Sequence, residues 1–289
     1  MTQERMTVSS EAGEGLLCSV TLSVNAGVAI EVAGKKILID AYHDEKTLEF
    51  STVTPDLYKE MKRTEAFREP DLITCTHRHR DHYSQAMVED AARRSPQTEI
   101  YLPPEDGTAE ETLVLPTADG AVRVEFFRLT HTGKERREYP NYGILLSVLA
   151  DSGRENRNSD RIGANFPDNG AQATRSILLT GDAEVGCPEL AEMLAGRPVD
   201  LTLLNFSWMA LGRGRDFVRE VIRPKHLVLF HLPIAADDRY GYQSTLRRTL
   251  GRDETVKAGL RKRYAERAAV ACPDIRILAE PLTRETFWL

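Results

Sequence analysis

The densest potential chemistry in the chain lies in Thr76-His77-Arg78-His79-Arg80-Asp81-His82-Tyr83-Ser84. Imidazole and carboxylate groups are the usual nitrogen and oxygen donors to zinc, manganese or iron. His77 and His79 are two residues apart, so on an extended loop both rings project to the same side. Asp81 and His82 add an oxygen and a nitrogen donor as the chain turns into a segment of helical spacing. Three histidines and an aspartate within six residues have little structural use, because buried polar groups at that density need costly mutual satisfaction. A lone His-x-His pair would say little. The full HxHxDH string between an apolar strand and a helix points to a metal centre.

The flanking elements must aim these groups. Residues 71–76 (DLITCT) read as a short buried strand and 82–93 as a helix, and in αβ sheets the carboxyl ends of strands open into the ligand crevice. Upstream, 18–32 reads as two strands meeting at Asn25-Ala26-Gly27, followed by a strand at 36–40 and a helix over 55–65. Downstream come strands at 98–103, 122–130, 143–150 and 176–182, with a polar loop at 151–174. A helix (188–195), a strand (201–206), a helix (215–222) and a strand (226–231) follow, then a charged helical segment (253–268) and a last strand (274–280). A meander followed by alternating strands and helices predicts an α/β protein of two packed sheets covered by helices. No internal repeat or proline-rich linker divides the chain, so residues 17–289 are expected to form one domain behind a polar leader at 1–16.

Composition narrows the function classes. The chain has 289 residues, 41% of them hydrophobic and 28% charged, with a net charge of -6. An acidic chain has no electrostatic reason to gather on nucleic acid, so a small-molecule substrate is expected instead. No apolar run approaches the roughly 20 residues that cross a bilayer, and the first residues lack the basic flank and apolar stretch of a signal peptide. Four scattered cysteines without a CxxC pair suit reduced thiols, so a cytoplasmic location is expected. Homo-oligomers are common among soluble enzymes, and the sequence leaves that question open.

The HxHxDH string resembles the signature of the metallo-β-lactamase superfamily, and the resemblance extends over roughly residues 18–280. It implies an αββα sandwich of two mixed sheets flanked by helices. It also implies further ligands at strand ends, which His131, Asp182 and His231 match in the family's order. On that pattern His77, His79 and His131 would hold a first divalent ion, Asp81, His82 and His231 a second, and Asp182 would bridge them. The two ions, zinc foremost with manganese or iron as alternatives, would share a hydroxide that attacks the substrate. Asp81 and Asp182 are the implied catalytic carboxylates, Asp81 also orienting the nucleophile and taking up its proton. Asp40, at the end of the strand KILID, matches the aspartate that orients the metal loop in this superfamily.

The resemblance implies a metal-dependent hydrolase of an ester, lactone or phosphodiester bond. His79 stands where flavodiiron relatives carry glutamate, which favours hydrolysis over redox chemistry. The compact plan resembles the cytosolic branch that includes the ascorbate-6-phosphate lactonase. Two alternatives stay open: a mononuclear iron enzyme resembling the persulfide dioxygenases, and a non-catalytic metal-binding sensor or scaffold. Arginine clamps phosphate or carboxylate bidentately. Arg213 and Arg215 beside Trp208, together with His43, are therefore candidate contacts to an anionic small molecule, with Arg78, Arg80 and the run GKERRE nearby.

Overall fold

The computed structural model describes residues 15–47, 50–108, 111–150, 173–251 and 273–289. Strands β1 (Leu17–Leu22), β2 (Val28–Val32) and β3 (Lys35–Ile39) form an antiparallel meander, with Val20 opposite Ile30 and Ile30 opposite Ile37. At the first turn Ser23 N donates to Gly27 O at 2.8 Å. A Cβ on Gly27 would lie 2.2 Å from Ser23 Oγ and 2.5 Å from Asp40 O, so only glycine fits there. Parallel strands β4 (Leu72–Thr74) and β5 (Glu99–Ile100) extend this sheet, and β13 (Arg284–Trp288) closes its other edge.

The second sheet runs from β6 (Thr112–Thr117) through β7 (Gly120–Leu129), β8 (Asn141–Ala150), β9 (Ala173–Leu179), β10 (Leu201–Asn205) and β11 (His226–Phe230) to β12 (Asp274–Ile277). Its first four strands pair antiparallel and its last four parallel, so β4, β7, β9, β10 and β11 all end on one edge of the molecule. Alternation along β7 sorts its side chains. Val122, Val124 and Phe126 enter the core between the sheets, while Phe127 and Leu129 face the opposite way.

Helices cover both outer faces. Helix α1 (Pro55–Met61) starts on Thr54, whose hydroxyl accepts from Leu57 N at 3.2 Å. Helix α2 (Gln85–Arg94) starts on Ser84 and buries Met87, Val88 and Ala91 against the first sheet. On the second sheet lie α3 (Pro188–Leu194), α4 (Ser207–Ala210) and α5 (Gly212–Phe217), the last running into a π turn over Val218–Ile222; α6 is Tyr242–Gly251. The molecule is thus an αββα sandwich of two mixed sheets.

Several boundaries differ from the sequence reading. The helix expected over 55–65 ends at Met61, with a 3-10 turn at Glu65–Phe67, and the helix expected over 215–222 is instead α4, α5 and the π turn. The strand expected over 98–103 keeps only Glu99–Ile100, because Pro103 and Pro104 cannot continue a ladder. Strands β6 and β13 and helix α6 were not read at all. Pro116 argues against a strand, and β6 accommodates it because it is an edge strand. Most of the leader expected at 1–16, most of the loop expected at 151–174 and the helical segment expected at 253–268 lie outside the described residues. No helix among the described residues is long and apolar enough to cross a membrane.

Candidate metal centre

Six strand ends deliver the site. The loop between β4 and α2 carries His77, His79, Asp81 and His82; His131 follows β7, Asp182 follows β9, and His231 follows β11. Asp40 follows β3 and Asn205 ends β10. The donor atoms of His77, His79 and His131 lie within 4.8 Å of one another, as do those of His77, His82 and Asp182, and those of Asp81, His82 and His231. All seven donors expected from the sequence are therefore neighbours. Asp182 stands between the groups, with Oδ1 3.2 Å from His231 Nε2 and Oδ2 3.7 Å from His82 Nε2 and 3.9 Å from His131 Nε2.

The imidazoles are oriented from behind. Asp40 accepts from His82 Nδ1 at 2.9 Å, and from Thr76 N and Thr76 Oγ1 at 2.7 Å each. Thr76 Oγ1 in turn lies 3.0 Å from His77 Nδ1. Since Thr76 gives its hydroxyl proton to Asp40, His77 must donate from Nδ1. His131 Nδ1 donates to Thr132 O at 2.7 Å. His77 and His131 then turn a lone-pair Nε2 toward the cluster, and both nitrogens are buried with no protein partner. Buried polar atoms without partners are rare in folded proteins. Convergent unprotonated nitrogens and a carboxylate are what divalent zinc, manganese or iron requires, so the residues fit the ion pair that the fold implies.

Electrostatics sharpens the picture. Burial lowers the pKa of His77 well below its ordinary value and that of His79 to about 4, with the neighbouring histidine charges pushing the same way. Burial also lowers His131. These rings are neutral donors at pH 7. At His82 burial opposes the cation, yet Asp40 and Asp182 outweigh it and hold its pKa well above normal. A cationic His82 then donates from Nε2 to His231 Nε2, 3.1 Å away, and a metal ion would take the place of that proton. Burial would raise the Asp182 carboxyl, but His231 and His82 hold it well below the usual carboxylate range.

Backbone geometry at the ligands is special as well. Gly181, at φ +54°, precedes Asp182, and a Cβ there would lie 2.6 Å from Asn141 Oδ1 and 2.7 Å from Thr76 Cβ. Asn141 Oδ1 accepts from Asp182 N at 3.0 Å, and Asn205 Nδ2 donates to Asp182 Oδ1 at 3.2 Å. His231 itself is left-handed at φ +58°, held by its N–H to Asn25 O at 2.9 Å. The sequence reading missed Thr76, Asn141 and Asn205. Their only signal was a position next to a donor or at a strand end.

The expected substrate contacts do not gather here. Trp208 is wholly buried against Phe217 in the core under α4 and α5, so it faces no ligand. Arg215 spends its guanidinium on the carbonyls of Met209 and Ala210, at 2.8 and 3.1 Å. Arg213 lies 3.7 Å from Glu184, which also takes Arg137 at 2.9 Å. His43 is wholly buried with Nε2 3.3 Å from Val24 O, and burial lowers its pKa to about 3. It is sealed from any substrate. Two aromatic rings lie on the site instead: Tyr139 stacks on His79, and Phe50 meets His231 edge-on with centroids 4.6 Å apart.

Sheet order, flanking helices and this donor set define the metallo-β-lactamase fold. Among solved structures the chain is similar to Igni18, a metallo hydrolase from the archaeon Ignicoccus hospitalis, at 15% identity and a TM-score of 0.50 over 94% of this chain and 98% of that one. It is also similar to unliganded yeast PDE1 (12% identity, TM-score 0.48, 95% and 100% covered). A third similar structure is a Thermotoga maritima protein assigned as a Zn-dependent hydrolase of the metallo-beta-lactamase superfamily (12%, 0.39, 75% and 77%). No family model and no curated protein matches the sequence.

Proposed function

We propose that this chain is a single-domain hydrolase that holds two divalent metal ions and cuts an ester, lactone or phosphodiester bond in a small anionic molecule. The observation that carries the reading is the convergence of seven donors, two of them buried nitrogens left without partners, on one edge of the sandwich. His77, His79 and His131 would hold one ion, Asp81, His82 and His231 the other, with Asp182 between. Zinc suits these donors best, and manganese or iron are the alternatives. Bound there, the ions supply Lewis acidity and make water a nucleophile near neutral pH.

The chain's own groups do the rest. Asp182, kept anionic by its histidine neighbours, balances the positive charge gathered on the site. Asp81 Oδ2, 4.0 Å from both His82 Nε2 and His231 Nε2, is placed to orient the attacking water and accept its proton. Asp40 and Thr76 hold Nδ1 of two of the rings, His82 and His77, so that Nε2 of each faces the site.

Metal content per chain, measured in protein purified without added metal and again in His79→Ala and Asp182→Ala, tests the reading alongside a panel of esters and phosphodiesters. Two ions in the parent, clear losses in both variants and turnover of a panel member support it. One tightly held iron that survives Asp182→Ala, with oxygen uptake on a persulfide, overturns it in favour of an oxygenase. Metal binding without turnover of any panel member leaves a sensor or scaffold.

A further inference from the structure

Beside the first donor group lies a pocket of about 160 Å³, and His77 itself forms part of its lining. Its walls are Pro103 and Pro104, which follow β5, and Tyr139 and Pro140, on the turn after His131. The Tyr139 ring is held by stacking on His79, with centroids 4.0 Å apart and planes at 26°. Tyr142, at the start of β8, completes the lining, and its hydroxyl is spent on Pro104 O at 3.0 Å. A cavity of about 150 Å³ accepts one benzene-sized ring. This pocket, walled mostly by rings, therefore suits a compact ring and little more.

Two charged side chains line the same pocket: Arg78, from the metal loop, and Glu105. Arg78 Nη2 donates to Pro103 O at 3.3 Å, and the guanidinium carbon lies 5.8 Å from the centre of the Tyr83 ring. Both contacts position the cation without neutralising it. Its Nε is buried with no partner among the described residues. Its Nη1 is 3.9 Å from Glu105 Oε2, too far for a hydrogen bond. The Glu105 side chain is 66% exposed against 29% for Arg78, and no other described residue holds its carboxylate. So loose a pair stabilises little, and its exposed partner can swing into water at small cost. Arg78 thus offers the pocket a positioned cation that is incompletely paired, and an arginine held this way loses little freedom on receiving an anion.

We propose that this pocket is a specificity subsite for a compact ring bearing an anionic group, the ring seated among Pro103, Pro104, Tyr139 and Pro140 and the anion replacing Glu105 on Arg78. This rests on the hydrolase reading above and deepens it by naming the part of the substrate that is held rather than cut. His77 in the lining places that part next to the first donor group. Glu105 is a competing carboxylate that the ligand displaces, so removing Glu105 and removing Arg78 have opposite effects on binding.

Zinc-loaded protein is titrated calorimetrically with benzoate (ring and charge), benzamide (ring alone) and acetate (charge alone), after the zinc content of every variant has been measured. Benzoate binds about tenfold more tightly than either control, the size expected for one charge-assisted contact or one seated ring. Arg78→Gln abolishes the advantage over benzamide. Glu105→Gln, a change at an exposed side chain, tightens benzoate about threefold. Tyr139→Ala weakens benzoate and benzamide alike, and Tyr139→Phe weakens neither. If Arg78→Gln loses its zinc, the direction of the Glu105→Gln shift decides alone. Turnover of 4-acetoxybenzoate, phenyl acetate and bis(4-nitrophenyl) phosphate is followed alongside. Benzoate no tighter than both controls overturns the subsite. So does benzoate affinity that Arg78→Gln and Glu105→Gln leave unchanged, which puts the carboxylate on the zinc ions instead; in either case turnover by the parent upholds the hydrolase. Arg78-dependent benzoate binding in a parent that cleaves none of the three upholds the subsite and overturns the hydrolase.

Discussion

Replacing Asp40 with asparagine separates charge from shape at the point where the metal loop is anchored. Asp40 sits at φ +53°, a left-handed conformation that asparagine tolerates nearly as well, so the backbone cost is small. The amide keeps an oxygen for Thr76 N but presents an NH2 group where Oδ2 accepted from Thr76 Oγ1 and His82 Nδ1, at 2.7 and 2.9 Å. The Thr76 hydroxyl can rotate and accept instead. His82 cannot adapt so cheaply: to avoid two facing donors it must give up its Nδ1 proton and keep the one on Nε2, the nitrogen turned toward His231 and Asp182. Every metal ion entering the Asp81, His82 and His231 group must then reverse that tautomer. Loss of such an orienting partner costs about 10–100-fold in metal affinity, or roughly 1.4–2.8 kcal/mol. Zinc titration against a competing chelator measures it. We expect the loss in the His82 group, with a smaller one at His77 through Thr76. If Asp40→Asn binds both ions within about threefold of the parent, a spread well under that estimate, orientation through Asp40 is refuted.

Stability in the presence of a chelator should fall as the pH drops from 6.5. The folded protein holds His79 at about 4 and His43 at about 3, so the unfolded chain takes up protons first and is favoured progressively through that window. His43→Gln should flatten the slope of unfolding free energy against pH between 6.5 and 3, the difference from the parent isolating this ring; an unchanged slope would show that His43 is not buried neutral. Gly181→Ala should destabilise by about 1–3 kcal/mol in urea unfolding, from left-handed strain plus the clash with Asn141 and Thr76, and should also weaken metal binding through Asp182. Parent-like stability there would mean that the turn can relax.

The metal loop was legible because its four donors fall within six residues, and a strand–loop–helix context can be read from local pattern. His131, Asp182 and His231 were legible more weakly, each marked only by following an apolar strand. The two sheets could be inferred from alternation, as in β7, where residue type fixes the face. Pairing partners are a different matter. Arg213 and Arg215 promised an anion clamp, but whether an arginine is free depends on which carboxylate or carbonyl the fold brings to it. Here Glu184 and the carbonyls of α4 took them. Trp208 misled for a similar reason: a tryptophan at a strand end can line a cleft or fill the space beneath a helix, and only the packing of α4 and α5 decides. Edge strands β6 and β13 escaped because one face and one side of each are open, which weakens the apolar alternation that identifies a strand.

The donors are divided between the sheets: His77, His79, Asp81 and His82 come from the first, and His131, Asp182 and His231 from the second. Neither sheet can assemble either complete donor group alone. Ion capture therefore reports the docking of the first sheet on the second. Once captured, an ion cross-links segments roughly 150 residues apart, from His82 to His231. The main effect should be on the rate at which the two layers part, so that metal-loaded protein resists proteolysis longer than its equilibrium stability alone would imply.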